Sequence, residues 1–195
     1  MENMVNLIDC PICGKEESLK IVTQELEIPY FGKVIETTIF CEACKYKKSD
    51  IFPSEVKEPK RYILPVLEEY DLNKRVIRGS SGHVKIPELG FEMSPGPASE
   101  AYVSNVEGVI IRMEEALITL ISWLETEEEK KRAKTLIEKL ENVKLGKEKI
   151  TLIIEDPLGH SAIIGDNVKE ELLTTEEIEV LSGNVVIIDS SNSLI

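Results

Sequence analysis

The sequence predicts a mainly β chain of the α+β kind. A small cysteine-bearing module occupies residues 1–52, and a β-rich body at 53–195 carries one α-helical hairpin at about 104–145. Three observations predict this. Two CxxC pairs flank segments rich in β-branched residues. Short segments of similar character recur further on, between Gly- and Pro-rich punctuation. One stretch in the middle switches to an apolar spacing of three and four.

Taken in order, residues 18–28 (SLKIVTQELEI) and 33–40 (KVIETTIF) read as two strands, and Pro29–Gly32 between them supplies a turn. The result is a β-hairpin whose ends carry the cysteine pairs. Residues 60–68 and 83–93 also read as strands, separated by the loop RGSSG at 78–82 and followed by SPGPAS at 94–99. From Ser104 to Leu124 the apolar positions Val106, Ile110, Met113, Leu117, Leu120 and Leu124 mark one face of a helix. Ser104 with Glu107 forms a capping-box pattern at its start. Thr126 with Glu129 repeats that pattern, Ala133, Leu136, Leu140 and Val143 continue a second apolar face, and Gly146 is a stop signal. Two helices joined near Glu125 make an antiparallel hairpin. Residues 150–156 and 161–165 return to strand character around a type I turn at DPLG (156–159), and 185–189 is a last candidate strand.

The chain of 195 residues is long enough for one sizeable core and a small appended module. No apolar run approaches the ~18 residues of a membrane span, and the N-terminus lacks the basic start and apolar stretch of a signal peptide. The expected compartment is the cytosol, where regularly spaced cysteines more often bind metal than form disulfides. Net charge is −13, which disfavours non-specific binding to phosphate backbones. The charge is uneven: residues 45–85 hold 10 basic and 6 acidic side chains, whereas 86–195 hold 10 and 22. The first of these stretches suits a local basic patch and the second a basic protein partner.

Cys10, Cys13, Cys41 and Cys44 give two CxxC knuckles separated by 27 residues. Two intervening residues let both thiolates of a knuckle turn toward one ion, and two knuckles complete the tetrahedral sulfur shell that Zn²⁺ accepts. No coordination position stays open, so the ion is structural. Iron is the chief competing ion, with free thiols or disulfides the other readings.

Lys45, Tyr46, Lys47 and Lys48 follow the second knuckle. An aromatic among lysines stacks on a base or docks on a protein; equally, the tyrosine covers the knuckle while the lysines stand in solvent. Asp156, His160 and Ser161 invite a hydrolase reading, but adjacent strand residues face opposite ways, so His160 is poorly placed to activate Ser161. His83 reads as structural. With no phosphate-cradling GxxxxGK or GxGxxG either, the chain is not expected to be an enzyme.

The co-linear set CPIC, IPYFGKVIETTIFCEACKYKKSDI, VKIPEL, YVSNVEGVIIRM and IEDPLGHSAI resembles the module of the ZPR-type zinc-finger proteins over roughly residues 8–165. The resemblance implies a zinc ribbon like that of translation initiation factor two beta, followed by a β-helix-like or jelly-roll-like domain with an inserted helical hairpin. It also implies one Zn²⁺ on Cys10, Cys13, Cys41 and Cys44, and a role as a folding or assembly chaperone for translation elongation factor one alpha. Eukaryotic members carry two such modules; this chain carries one, as archaeal members do. Ala43 and Tyr46 stand where members often show glycine and tryptophan. Expected partner-contacting residues are Phe31, Tyr46, Lys47 and Arg61, with Arg75 and Arg78 extending that basic face. The alternative is a nucleic-acid-binding ribbon acting in transcription or on ribosomal RNA.

Overall fold

The structure is a computed structural model that describes residues 4–55, 57–96 and 99–182. It divides into two compact units, Met1–Val56 and Lys57–Ile195.

The first unit is a four-stranded antiparallel sheet in the order β1 (Met4–Ile8), β2 (Leu19–Ile28), β3 (Gly32–Cys41), β4 (Lys47–Pro53). The expected hairpin is its centre, in a register that pairs Leu19 with Cys41 and Ile28 with Gly32. Tyr30 at φ 74 and Gly32 at φ 78 take the left-handed conformations that turn the chain within so few residues. The flanking strands were not legible beforehand: β1 is short, and β4 (KKSDIFP) opens with two lysines and lacks apolar alternation. The buried cluster of this unit is small, comprising Cys10, Leu19 and Cys41 with Ile39 and Tyr46 packed against it.

The second unit begins with β5 (Lys60–Val66), a 3₁₀ turn at Glu69–Asn73, β6 (Arg75–Arg78) and β7 (His83–Ile86). Another 3₁₀ turn at Pro87–Leu89 leads to β8 (Phe91–Met93) and β9 (Tyr102–Asn105). The helical hairpin is α1 (Val106–Ile121) and α2 (Glu127–Lys144). Then come β10 (Ile150–Asp156), β11 (Ala162–Ile164), β12 (Lys169–Leu172) and α3 (Thr175–Ser182). The strands form a five-stranded sheet, β12-β5-β10-β7-β8, and a three-stranded sheet, β11-β6-β9. Alternate residues of β5 (Tyr62, Leu64, Val66) and β10 (Ile150, Leu152, Ile154) are buried, as a sheet with one covered face requires. They share one core with Val109, Ile110, Met113 and Leu117 of α1 and Ala133, Leu140 and Val143 of α2.

Two local expectations are corrected. Residues 83–93 are not one strand: Pro87 offers no ladder N–H and Gly90 sits at φ 60, so the chain reverses and β8 returns antiparallel to β7. The cap of α1 is Asn105 rather than Ser104. Ser104 is still in β9, paired with Val76, and the Asn105 side chain accepts from the Gly108 amide at 2.8 Å. The second helix starts as read, with the reciprocal Thr126–Glu129 box, and stops before Gly146 at φ 66. The DPLG turn forms, the Gly159 amide donating to the Asp156 carbonyl at 3.2 Å. The candidate strand at 185–189 lies outside the described residues.

Candidate metal centre and partner surfaces

The knuckles are built by the backbone. In the first, the Gly14 amide donates to the Cys10 carbonyl at 2.8 Å; in the second, the Lys45 amide donates to the Cys41 carbonyl at 3.0 Å. Both donors are left-handed, Gly14 at φ 70 and Lys45 at φ 63. Glycine takes that conformation freely, whereas lysine carries a strain of roughly 1 kcal/mol. The hairpin register closes the gap of 27 residues by placing Cys41 opposite Leu19, at the end of β3.

The four sulfurs lie within 4.8 Å of one another, with Cys10–Cys44 at 3.9 Å and Cys13–Cys41 at 3.8 Å. A tetrahedron with Zn–S arms of about 2.3 Å has edges of about 3.8 Å, so the donor set fits zinc. The Cys44 amide points at the Cys41 sulfur at 3.4 Å, with the Ser18 hydroxyl also at 3.4 Å; these contacts hold the Cys41 thiol down at about 6. Cys44 goes the other way. Its backbone contact with Tyr46 pulls it down, but burial and the three neighbouring sulfurs outweigh that and push it up to about 11. Cys44 is therefore a thiolate at neutral pH only when a cation offsets its sulfur neighbours.

The expected partner residues fall in different places. Tyr46 is half-buried against the knuckle cluster, and its carbonyl accepts from the Cys41 amide at 2.8 Å, so it covers the metal centre. Lys47 is exposed beside it at the start of β4, paired with Phe40 of β3. Phe31 sits in the turn at the opposite end of the ten-residue hairpin strands, about 30 Å from the knuckles. Arg61, Arg75 and Arg78 belong to the second unit. Arg61 donates to Glu155 at 2.5 Å and Glu177 at 2.7 Å. Arg75 is exposed at the start of β6, and Arg78 is only 4% exposed.

The basic excess of residues 45–85 is largely neutralised within the second unit. Lys60 pairs with Glu170, Lys74 with Asp71 and Asp166, and Lys85 with Glu92 and Glu155. The segment count misled because these carboxylates mostly come from far along the chain.

Asp156, His160 and Ser161 form a buried hydrogen-bonded hub. Both Ser81 and Ser161 donate their hydroxyls to Asp156, and Leu158 and His160 donate amides. Ser161 also accepts from the Gly79 amide at 2.9 Å. This ties the DPLG turn to the RGSSG loop, with Ser81 and Ser161 both buried.

One exposed side chain was missed by sequence reasoning. Trp123, between α1 and α2, is 75% exposed, with Ile118 at 59% and Leu120 at 42% near it in sequence. The signal was available: the chain's single tryptophan falls outside both helical apolar faces, just before the Thr126 cap.

A closed four-cysteine zinc ribbon joined to a separate β-rich unit with a helical hairpin defines a zinc-finger protein with one structural ion and no open coordination position. Comparison gives the family. The ZPR1 zinc-finger domain model matches residues 3–58 and the ZPR1 jelly-roll domain model matches residues 70–180, and the chain belongs to the ZPR1 zinc-finger family. It is 55% identical over 189 residues to a ZPR1-like protein of Methanocaldococcus jannaschii, covering 97% of this chain and 95% of that one. It is 44% identical to a ZPR1-like protein of Pyrococcus horikoshii, over 95% and 85% of the two chains. The zinc finger chaperone zpr1 of Schizosaccharomyces pombe is 26% identical over 158 residues; the match covers 78% of this chain and 34% of that one. Among the described residues, no helix is long and apolar enough to cross a membrane.

Proposed function

We propose that this protein is a non-enzymatic, cytosolic folding or assembly factor whose client is a GTPase of the elongation factor one alpha type. The observation that carries the reading is the exposure of Trp123, with Ile118 and Leu120 near it in sequence, at the turn of a helical hairpin whose core face (Val109, Ile110, Met113, Leu117, Ala133, Leu140 and Val143) is buried. An exposed tryptophan on a firmly packed support is the kind of anchor that dominates protein interfaces. The acidic start of α2, Glu127–Glu129, lies four to six residues on and favours a basic surround on the client. The fission-yeast relative, a zinc finger chaperone by name, supports the chaperone part, and the family resemblance supports the client. The ribbon supplies a second contact through Lys47 and the zinc knuckles, and two moderate contacts on one framework gain by effective concentration.

The test is direct binding of the zinc-loaded chain to a purified GTPase of that type, followed by the client's refolding yield. Saturable binding, weakened about tenfold or more by Trp123→Ala and abolished by Cys41→Ser, is expected. Absence of binding, or binding equal in the Cys41→Ser protein, overturns the reading.

A further inference from the structure

Two guanidinium groups converge on one tyrosine in the second unit. Tyr102 of β9 is the direct cross-strand partner of Arg78 on β6. The Arg78 guanidinium lies 5.8 Å from the centre of the Tyr102 ring, and that of Arg112, from α1, lies 4.3 Å from it. Arg78 is buried and committed: Nε donates to the Gly82 carbonyl at 2.9 Å, and Nη1 to the Ser99 hydroxyl at 2.8 Å and the Glu100 carbonyl at 3.2 Å. All of these acceptors are neutral. Its balancing charge through space is Asp156, itself occupied by Ser81 and Ser161.

Arg112 differs. It is exposed, and among the described residues no hydrogen bond or ion pair engages it. Glu115 stands three residues on, within helical reach, yet the guanidinium lies against the ring instead. A guanidinium held against an aromatic face keeps its in-plane N–H fork available, and that fork matches the two oxygens of an oxyanion. The ring is anchored by its packing against the core, while its hydroxyl is buried without a partner among the described residues and adds no hold of its own. Two like charges sharing one ring in a chain of net charge −13 make a local cationic spot that an anion relieves.

We propose that Arg112, oriented by Tyr102 and backed by Arg78, is a receptor for an oxyanion, either a carboxylate of an acidic polypeptide segment or a phosphoryl group. The site is independent of the chaperone reading and can fail or hold without it.

The test follows the arginine side-chain Nε–H resonances of the full, zinc-loaded chain by NMR. Inorganic phosphate and a short capped glutamate peptide are titrated separately, against sodium chloride at matched ionic strength. Saturable shifts at Arg112 with either probe, and none with chloride, are expected. Phosphate alone assigns a phosphoryl source; the peptide alone assigns a carboxylate. Arg112→Lys keeps the charge but loses the fork, and affinity, read in parent and variant alike from the backbone amide shifts of β9 and α1, is expected to fall about tenfold. Tyr102→Phe keeps the ring and is expected to bind as the parent does. No saturable shift with either probe, or unchanged affinity in Arg112→Lys, overturns the proposal.

Discussion

The Ser161 hydroxyl donates to Oδ2 of Asp156 at 2.6 Å, tying the start of the DPLG turn to the residue two past its end, deep inside the second unit. Oδ1 of the same carboxylate takes the Ser81 hydroxyl at 2.5 Å, and two amides complete its shell. Asp156 has no exposed surface. A buried carboxylate with four donors is a structural device, and its removal strands every one of them.

Asp156→Ala is therefore expected to destabilise the second unit by about 3 kcal/mol or more, since each stranded donor costs roughly 1–3 kcal/mol. Gly79→Ala should act at the same place from the other side, because its Cβ would lie 2.7 Å from Oδ2 of Asp156. Urea unfolding followed by far-ultraviolet circular dichroism reads both. A midpoint equal to the parent's for Asp156→Ala would show that the hub is dispensable.

Metal removal should act on one unit. Among the described residues, the buried cluster at the knuckles comprises Cys10, Leu19 and Cys41, two of them metal ligands, whereas the second unit has an extensive core. Chelation, or Cys41→Ser, is expected to abolish amide-exchange protection across β2 and β3 while β5 and β10 keep theirs. Retained protection at Leu19 and Cys41 in the zinc-free protein would count against a stapling role for the metal.

Arg61 distinguishes a structural role from a partner-binding one. It neutralises Glu155, which is 5% exposed, and reaches Glu177 on α3. Lys85 remains as a second partner for Glu155 at 2.9 Å. Arg61→Ala is expected to cost about 1.5–3 kcal/mol, the range for hydrogen bonds to charged groups, and to loosen α3. Unaltered stability together with weaker client binding would instead assign Arg61 to the interface.

His83 should report on acidity. Burial holds its imidazole below the ordinary value of 6.5, outweighing the backbone contact with Leu181 and the field of Glu92 that favour the charged form. The unfolded chain thus binds the proton more readily. This stability is fully present above about pH 6.5 and is lost as pH falls from there toward the folded-state value. Titration of the His83 ring by NMR is expected to give a midpoint below 6.5. A midpoint at or above that value would contradict the burial argument.

What the sequence determined by itself was local. The CxxC knuckles, the β2–β3 hairpin, the Thr126–Glu129 box and the apolar faces of α1 and α2 each depend on residues a few positions apart or on a fixed donor chemistry. The metal followed from the cysteines alone, since four thiolates at that spacing have few other uses. The tertiary structure decided what becomes of charge and exposure. Arg61 finds Glu155 across 94 positions only because β10 lies beside β5, and Glu177 across 116 because α3 follows β12 on the other side of β5. A segment-by-segment charge count cannot register such pairings. The same holds for Trp123, whose exposure depends on which faces of α1 and α2 the sheet covers, and for Arg112, which lies against Tyr102 because β9 runs directly into α1. Periodicity is written in neighbours, whereas burial and ion pairing are set by strand order.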